Sequence, residues 1–177
     1  MNSLRIVAGM VLLAGCQSAP QQAPEELRAT AGLEPTKGNK TFAEATFEAA
    51  GANKVRVIVF AQNLKPGAEH GFHIHERGDC SSGDGMSAGG HFNPSAKPHG
   101  QHGAGDHHAG DLPSLRADAA GRVDVRMPLT GLAIGSGATD IVGRGLIVHA
   151  QPDDYKTQPT GNAGARLACG VIQRHPG

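Results

Sequence analysis

The chain has 177 residues, enough for one domain of common size with a short N-terminal extension to spare. Its 16 Lys+Arg balance 16 Asp+Glu and aromatic residues make up 3%, so it lacks both the basic surplus and the stacking inventory of a nucleic-acid-binding surface. Glycine is abundant at 26 residues and no long stretch keeps a helical period, which argues against a helical bundle and for short strands between turns.

In residues 1–15 one positive charge, Arg5, precedes the apolar run from Ile6 to Ala14, which is too short to span a bilayer. The ending Leu13-Ala14-Gly15-Cys16 has the form of a bacterial lipobox. In that reading residues 1–15 are a signal peptide that is removed, and Cys16 becomes a lipidated N-terminus. An ordinary secretory signal and a buried helix are the competing readings. Residues 16–25 then comprise the lipidated cysteine and a polar tether, QSAPQQAPE, without apolar periodicity. Residues 26–177 form the domain. Removing Arg5 with the signal leaves 15 Lys+Arg against 16 Asp+Glu. Gln17, in place of an aspartate after the cysteine, favours the outer membrane by analogy with well-studied Gram-negative bacteria.

Candidate strands follow at 27–33, 45–49, 55–61, 71–75, 122–127, 145–150 and 165–173. Val55, Val57 and Val59 share one face of their strand, as do Val123, Val125 and Met127. In Gly71-Phe72-His73-Ile74-His75 the period of 2 turns Phe72 and Ile74 toward a core and places His73 and His75 together on the opposite face. Two exposed histidines on an ordinary strand would look the same in isolation. Downstream, however, His91, His99, His102, His107, His108 and Asp111 crowd a stretch broken by Gly90, Pro94, Pro98, Gly100, Gly103, Gly105 and Gly110. That composition predicts a long loop, and loops of this length inside a domain are usually functional or disordered. A flexible His-rich tract that loosely buffers metal is the alternative. The apolar run 145–148 ends in His149, a further imidazole. Imidazoles with one carboxylate suit zinc and copper rather than magnesium or calcium. Gly143-Arg144-Gly145 lacks the third glycine and following helix of a dinucleotide loop.

Taken in order, the segments GFHIHERGDC (71–80), SAGGHFNPSAKPHG (87–100), HHAGDL (107–112), the strand ending at His149 and GNAGARLACGVI (161–172) resemble the copper/zinc superoxide dismutases. The resemblance runs from about Leu27 to Ile172. It implies an all-β, Greek-key sandwich or barrel of about eight strands with long metal-binding and active-site loops, the group in which these enzymes are standardly placed. It further implies that His73, His75, His91 and His149 ligate copper, and that His91, His99, His108 and Asp111 ligate zinc. His91 would then bridge the two metals. Four protein ligands with no open position make such a zinc structural. Copper would carry the dismutation of superoxide to dioxygen and hydrogen peroxide.

By the same resemblance, Asp153 falls where a carboxylate links ligands of both metals, and Arg166 falls where a guanidinium faces the copper channel. An exposed turn aspartate and a solvent-facing arginine are the plainer readings of those two residues. Lys156 is a further candidate for attracting the anion. His70, His102, His107 and His175 have no ligand position in the family pattern. Of the three cysteines, Cys16 is taken by the lipobox, which leaves Cys80 and Cys169 as a disulfide pair in an oxidising compartment. The family bridge likewise ties the loop after the H-x-H strand to the last strand. The whole reads as a superoxide dismutase of the periplasm, lipid-anchored to a membrane and protecting that compartment from superoxide. It would be a monomer or homodimer, between which the motifs do not choose.

Overall fold

Alternation of apolar and polar residues builds the ten strands that the computed structural model contains within residues 27–175, the part of the chain it describes. The signal, Cys16 and tether lie outside the described residues. The strands are β1 (Arg28–Pro35), β2 (Phe42–Ala49), β3 (Lys54–Gln62), β4 (Glu69–His70), β5 (Phe72–His75), β6 (Leu115–Arg116), β7 (Val123–Thr130), β8 (Gly145–His149), β9 (Arg166–Val171) and β10 (Gln173–Arg174). Seven of them form one antiparallel path, β5-β8-β9-β1-β2-β3-β7, and β10 pairs with β1 as the eighth strand.

The two ends of this path are joined through the short pair β4–β6, because β4 leads into β5 and β6 leads toward β7. Backbone bonds from Ala117 N–H to Ala68 O and from Gly67 N–H to Asp118 O lengthen that ladder. The result is a curled all-β sheet, as expected from the sequence. The structure adds β4 and β6, which are two residues each, and starts β2 at Phe42 rather than Ala45.

The core fills the inside of the curl. Val55, Val57, Val59 and Ala61 point inward from β3, Ala43, Ala45 and Phe47 from β2, and Ala29, Ala31 and Leu33 from β1. Their neighbours Lys54, Arg56 and Phe60 remain exposed, the signature of a sheet wet on one face. β5 and β8 differ, because every residue in both is buried. Phe72, Ile74, Leu146 and Val148 join the core, while His73, His75, Ile147 and His149 lie under loops on the other face.

The histidine-rich segment is sewn to the edge of β5, the terminal strand. Phe92 N–H donates to Ile74 O, Ile74 N–H to Gly110 O, and Gly110 N–H to Phe92 O. This covers an edge that would otherwise expose backbone groups. The Cys80–Cys169 disulfide, with Cα atoms 5.8 Å apart, ties the loop after β5 to β9.

Candidate metal centre

Two groups of four potential ligands are assembled by these elements, and they share one member. His73, His75, His91 and His149 form the first, and His91, His99, His108 and Asp111 the second; within each, the ligand atoms lie within 4.8 Å of one another and all residues are buried. β5 supplies His73 and His75 with the parity that the H-x-H spacing requires. His149 comes from the end of the neighbouring β8. His91 is placed by a bridge to His75, and Asp111 by a bridge to His73.

The hydrogen bonds define what each ring offers. His73 Nε2 is bonded to Asp153 Oδ2 (2.7 Å), His75 Nδ1 to Gly89 O (3.0 Å) and His149 Nδ1 to Gly164 O (3.3 Å). A carbonyl accepts, so these ring nitrogens carry the proton, as does the His73 nitrogen facing the carboxylate. The opposite nitrogens therefore present lone pairs. Among the described residues seven buried side-chain nitrogens have no hydrogen-bond partner. Six of them belong to the two groups: His73 Nδ1, His75 Nε2, His91 Nε2, His149 Nε2, His99 Nδ1 and His108 Nδ1. Buried polar atoms are rarely left unpaired, and six orphans converging on two points fit cations there.

The second group makes the same point through its carboxylate. Asp111 Oδ1 lies 2.8 Å from His91 Nδ1, 3.0 Å from His99 Nδ1 and 3.3 Å from His108 Nδ1. Its other oxygen accepts the backbone N–H groups of Gly100 and His108. Three imidazole nitrogens and one carboxylate oxygen are a donor set suited to zinc.

Burial, reinforced by neighbouring rings, holds the His75 and His149 imidazoles well below the usual value. Burial also lowers His91, to about 4, against the opposing pull of Asp111. At His99 burial works the same way, but the adjacent carboxylates of Asp111 and Asp153 outweigh it and raise the ring to about 9. Burial would raise the Asp111 and Asp153 carboxyls, yet their histidine hydrogen bonds hold both well below the usual carboxylate range.

Asp153 lies between the two groups. Besides His73, it reaches His99 Nε2 (2.9 Å) and accepts the Tyr155 N–H (2.7 Å) through Oδ1. Gly161 seals this carboxylate from the side. At φ +65° it occupies the left-handed region, and a Cβ there would collide with Asp153 Oδ1.

Arg166 borders a cleft of about 250 Å³ together with His75, His91 and His149. Its Nη1 donates to Gly85 O and its Nη2 to Gly89 O, each 2.6 Å, so Gly89 O holds both the guanidinium and the His75 ring. A bulge decides which way Arg166 faces. Val148 pairs with Ala168 but His149 pairs with Arg166, so Leu167 is the extra residue. Simple alternation from the buried Ala168 would turn Arg166 into the core; the bulge turns it to the His149 face instead. A larger open groove of about 770 Å³ on the outer surface, bordered by Phe60, Arg122 and Asp124, holds none of these histidines.

The surplus histidines stand outside both groups. His70 is buried, with Nδ1 bonded to His149 O (2.8 Å). His102 Nδ1 faces Asp111 O, and its Nε2 accepts the Thr130 N–H. His107 Nδ1 faces His108 O. Lys156 is exposed, and His175 lies at the end of the described chain.

One residue the sequence did not single out grips the centre from outside. Gln158 accepts the His99 N–H through Oε1 (2.8 Å) and donates to His99 O through Nε2 (2.9 Å). That bond pair spans 59 residues of sequence, and no local pattern announces it.

Comparison with known proteins converges on one family. Residues 41–172 match the model described as copper/zinc superoxide dismutase (SODC). The chain is 37% identical to "Superoxide dismutase [Cu-Zn] 2" of Aquifex aeolicus over 172 residues, 95% of this chain and 96% of that protein. It is 50% identical over 120 residues to "Superoxide dismutase-like protein YojM" of Bacillus subtilis, 66% of this chain and 61% of the relative's length. Among solved structures it is similar to the clock protein EA4, with a TM-score of 0.76 and 35% identity, covering 88% of this chain and 99% of that one.

Proposed function

The chain belongs to the copper/zinc superoxide dismutase family, and from that premise we propose how its residues divide the work. It is a superoxide dismutase that uses copper and zinc. The finer assignment gives copper to His73, His75, His91 and His149, and zinc to His91, His99, His108 and Asp111. The observation that carries it is the shared His91, whose Nδ1 faces the carboxylate group and whose Nε2 faces the three remaining imidazoles unpaired.

Copper bound there supplies a one-electron couple, by which two superoxide ions and two protons give dioxygen and hydrogen peroxide. The protein's part is positioning, charge and proton handling. Asp153 fixes the orientation of one ring in each group, and carbonyls of Gly89 and Gly164 fix two more. The enclosed second group, with four protein donors, suits a structural zinc that holds the loop in shape. Arg166 puts a fixed cation in the cleft, where it attracts and orients a small anion. His91 borders the same cleft, and we assign to its Nε2 the proton that peroxide formation consumes.

The cellular setting follows from the N-terminal motif. Residues 1–15 are removed, Cys16 is lipidated, and the domain from residue 26 is held at a membrane, on the outer membrane in the Gln17 reading, facing the periplasm that it protects. The Cys80–Cys169 disulfide supports an oxidising compartment. Stopped-flow decay of superoxide tests the assignment. The copper- and zinc-loaded protein accelerates decay far beyond the zinc-only protein; equal rates would sink the enzyme reading and leave a metal carrier.

A further inference from the structure

The cleft poses a problem that superoxide does not share. Its fixed cation, Arg166, welcomes an anion but repels a copper ion on its way to His75, His91 and His149. A foothold for such an ion lies on the same cleft. Met86 borders it and is 59% exposed, the most exposed large hydrophobic side chain among the described residues. Packing gives no reason for it. The surrounding turn, Ser81-Ser82-Gly83-Asp84-Gly85-Met86-Ser87, is otherwise small and polar.

The turn is well anchored although the side chain is not covered. Met86 N–H donates to Asp84 Oδ1 (2.9 Å), and Met86 O accepts the Gly89 N–H (3.0 Å). Gly85 O and Gly89 O, on either side of Met86, hold the Arg166 guanidinium. The thioether thus hangs from a backbone fixed beside Arg166, on a side chain with three rotatable bonds. Asp84 places a carboxylate on the same turn. Hydrogen bonds from Met86 and Ser82 keep its pKa low, and its charge is felt at Arg166. A neutral, soft donor next to a carboxylate is a combination that attracts and then binds a soft cation. Thioethers favour Cu(I), whereas imidazoles accept either oxidation state.

We propose that Met86 is an entry ligand for Cu(I), capturing the ion at the mouth of the cleft and passing it by ligand exchange to the bare nitrogens of His75, His91 and His149. No electron is transferred in this step. The proposal rests on the assignment of copper to the first histidine group.

The test follows copper uptake by the full-length, zinc-loaded protein under anaerobic conditions. Cu(I) is presented as its bicinchoninate complex and loss of that complex's colour is recorded; Cu(II) is presented separately as its glycine complex. Met86→Leu keeps the size of an exposed side chain and removes the sulfur. The variant takes up Cu(I) about fivefold more slowly or worse, the factor that about 1 kcal/mol of lost capture free energy gives. Its Cu(II) uptake rate and final copper content stay at the parent values. An unchanged Cu(I) rate, or equal slowing for both oxidation states, overturns the role of Met86. Failure of the parent protein to take up one copper per chain refutes the copper assignment itself, and the entry role with it.

Discussion

Replacing Asp153 with asparagine separates the two metal groups by hydrogen-bond logic alone. The carboxylate is fully buried and accepts at both oxygens. Oδ1 receives the Tyr155 N–H (2.7 Å) and His99 Nε2 (2.9 Å), and Oδ2 receives His73 Nε2 (2.7 Å). An amide has one acceptor and one donor end. The Tyr155 N–H cannot turn into an acceptor, so the amide oxygen takes the Oδ1 place and the NH2 group faces His73 Nε2. To avoid opposing two donors, His73 must move its proton from Nε2 to Nδ1, the unpartnered nitrogen of the proposed copper group. His99 keeps its tautomer. A hydrogen bond to a buried charged group contributes about 1.5–3 kcal/mol, and loss of such an outer partner typically costs about 10–100-fold in metal affinity. We expect copper affinity to fall by about that factor in Asp153→Asn, with a much smaller change at zinc. Chelator competition, run separately for copper on the zinc-loaded protein and for zinc on the metal-free protein, measures both. Zinc affinity falling as far as copper affinity would refute the reasoning, and so would unchanged copper affinity.

Arg166→Gln should retain copper and slow superoxide decay about tenfold or more, since local cations raise on-rates by at least that much and superoxide dismutases are themselves a standard example. Stopped flow at rising ionic strength should show the parent rate falling and the variant rate nearly flat; copper loss in the variant would make Arg166 a structural residue. Gln158→Ala removes two hydrogen bonds to the His99 backbone, each contributing about 1 kcal/mol. Zinc should dissociate about thirtyfold faster as a result, with the Cu(II) spectrum unchanged; unaltered zinc release would mean that the clamp does not hold the second group. The metal-free protein should lose stability as pH falls from 6.5 toward 4. The unfolded chain protonates His75, His91 and His149 below 6.5 while the folded one resists, so the unfolded state binds more protons in that window. For His91, lowered to about 4, this amounts to on the order of 3 kcal/mol. His99 acts in the opposite sense: raised to about 9, it contributes stability that is complete below 6.5 and lost as pH rises through 9. Thermal melts of the chelated protein check this, and a melting temperature that rises between pH 6.5 and 4 would contradict it.

The parity of strand residues made much of the centre legible in advance. His73 and His75 share a face because any strand would place them so, and the glycine- and proline-broken stretch from Gly90 to Gly110 could fold only as a loop. The unread parts depended on contacts that local pattern does not encode. The strands β4 and β6 are two residues long, shorter than a period can reveal. The start of β2 was hidden because its inward residues, Ala43 and Ala45, are small and do not stand out as an apolar face. Burial of β5 on both faces came from the loop laid over its histidines, so the alternation that marks a half-exposed strand did not apply. At β9 the alternation misleads outright, because the extra Leu167 reverses the face to which Arg166 belongs. Gln158 reaches His99 across 59 residues, and only the folded chain brings them together.

The shared role of His91 is tested most directly by crystals of the copper- and zinc-loaded protein, measured on either side of the absorption edge of each metal. The expected anomalous maps show copper among His73, His75, His91 and His149, and zinc enclosed by His91, His99, His108 and Asp111, with the His91 ring between the two peaks. Both metals in one group, or a metal bound without His91, would contradict the two-metal centre proposed for this chain.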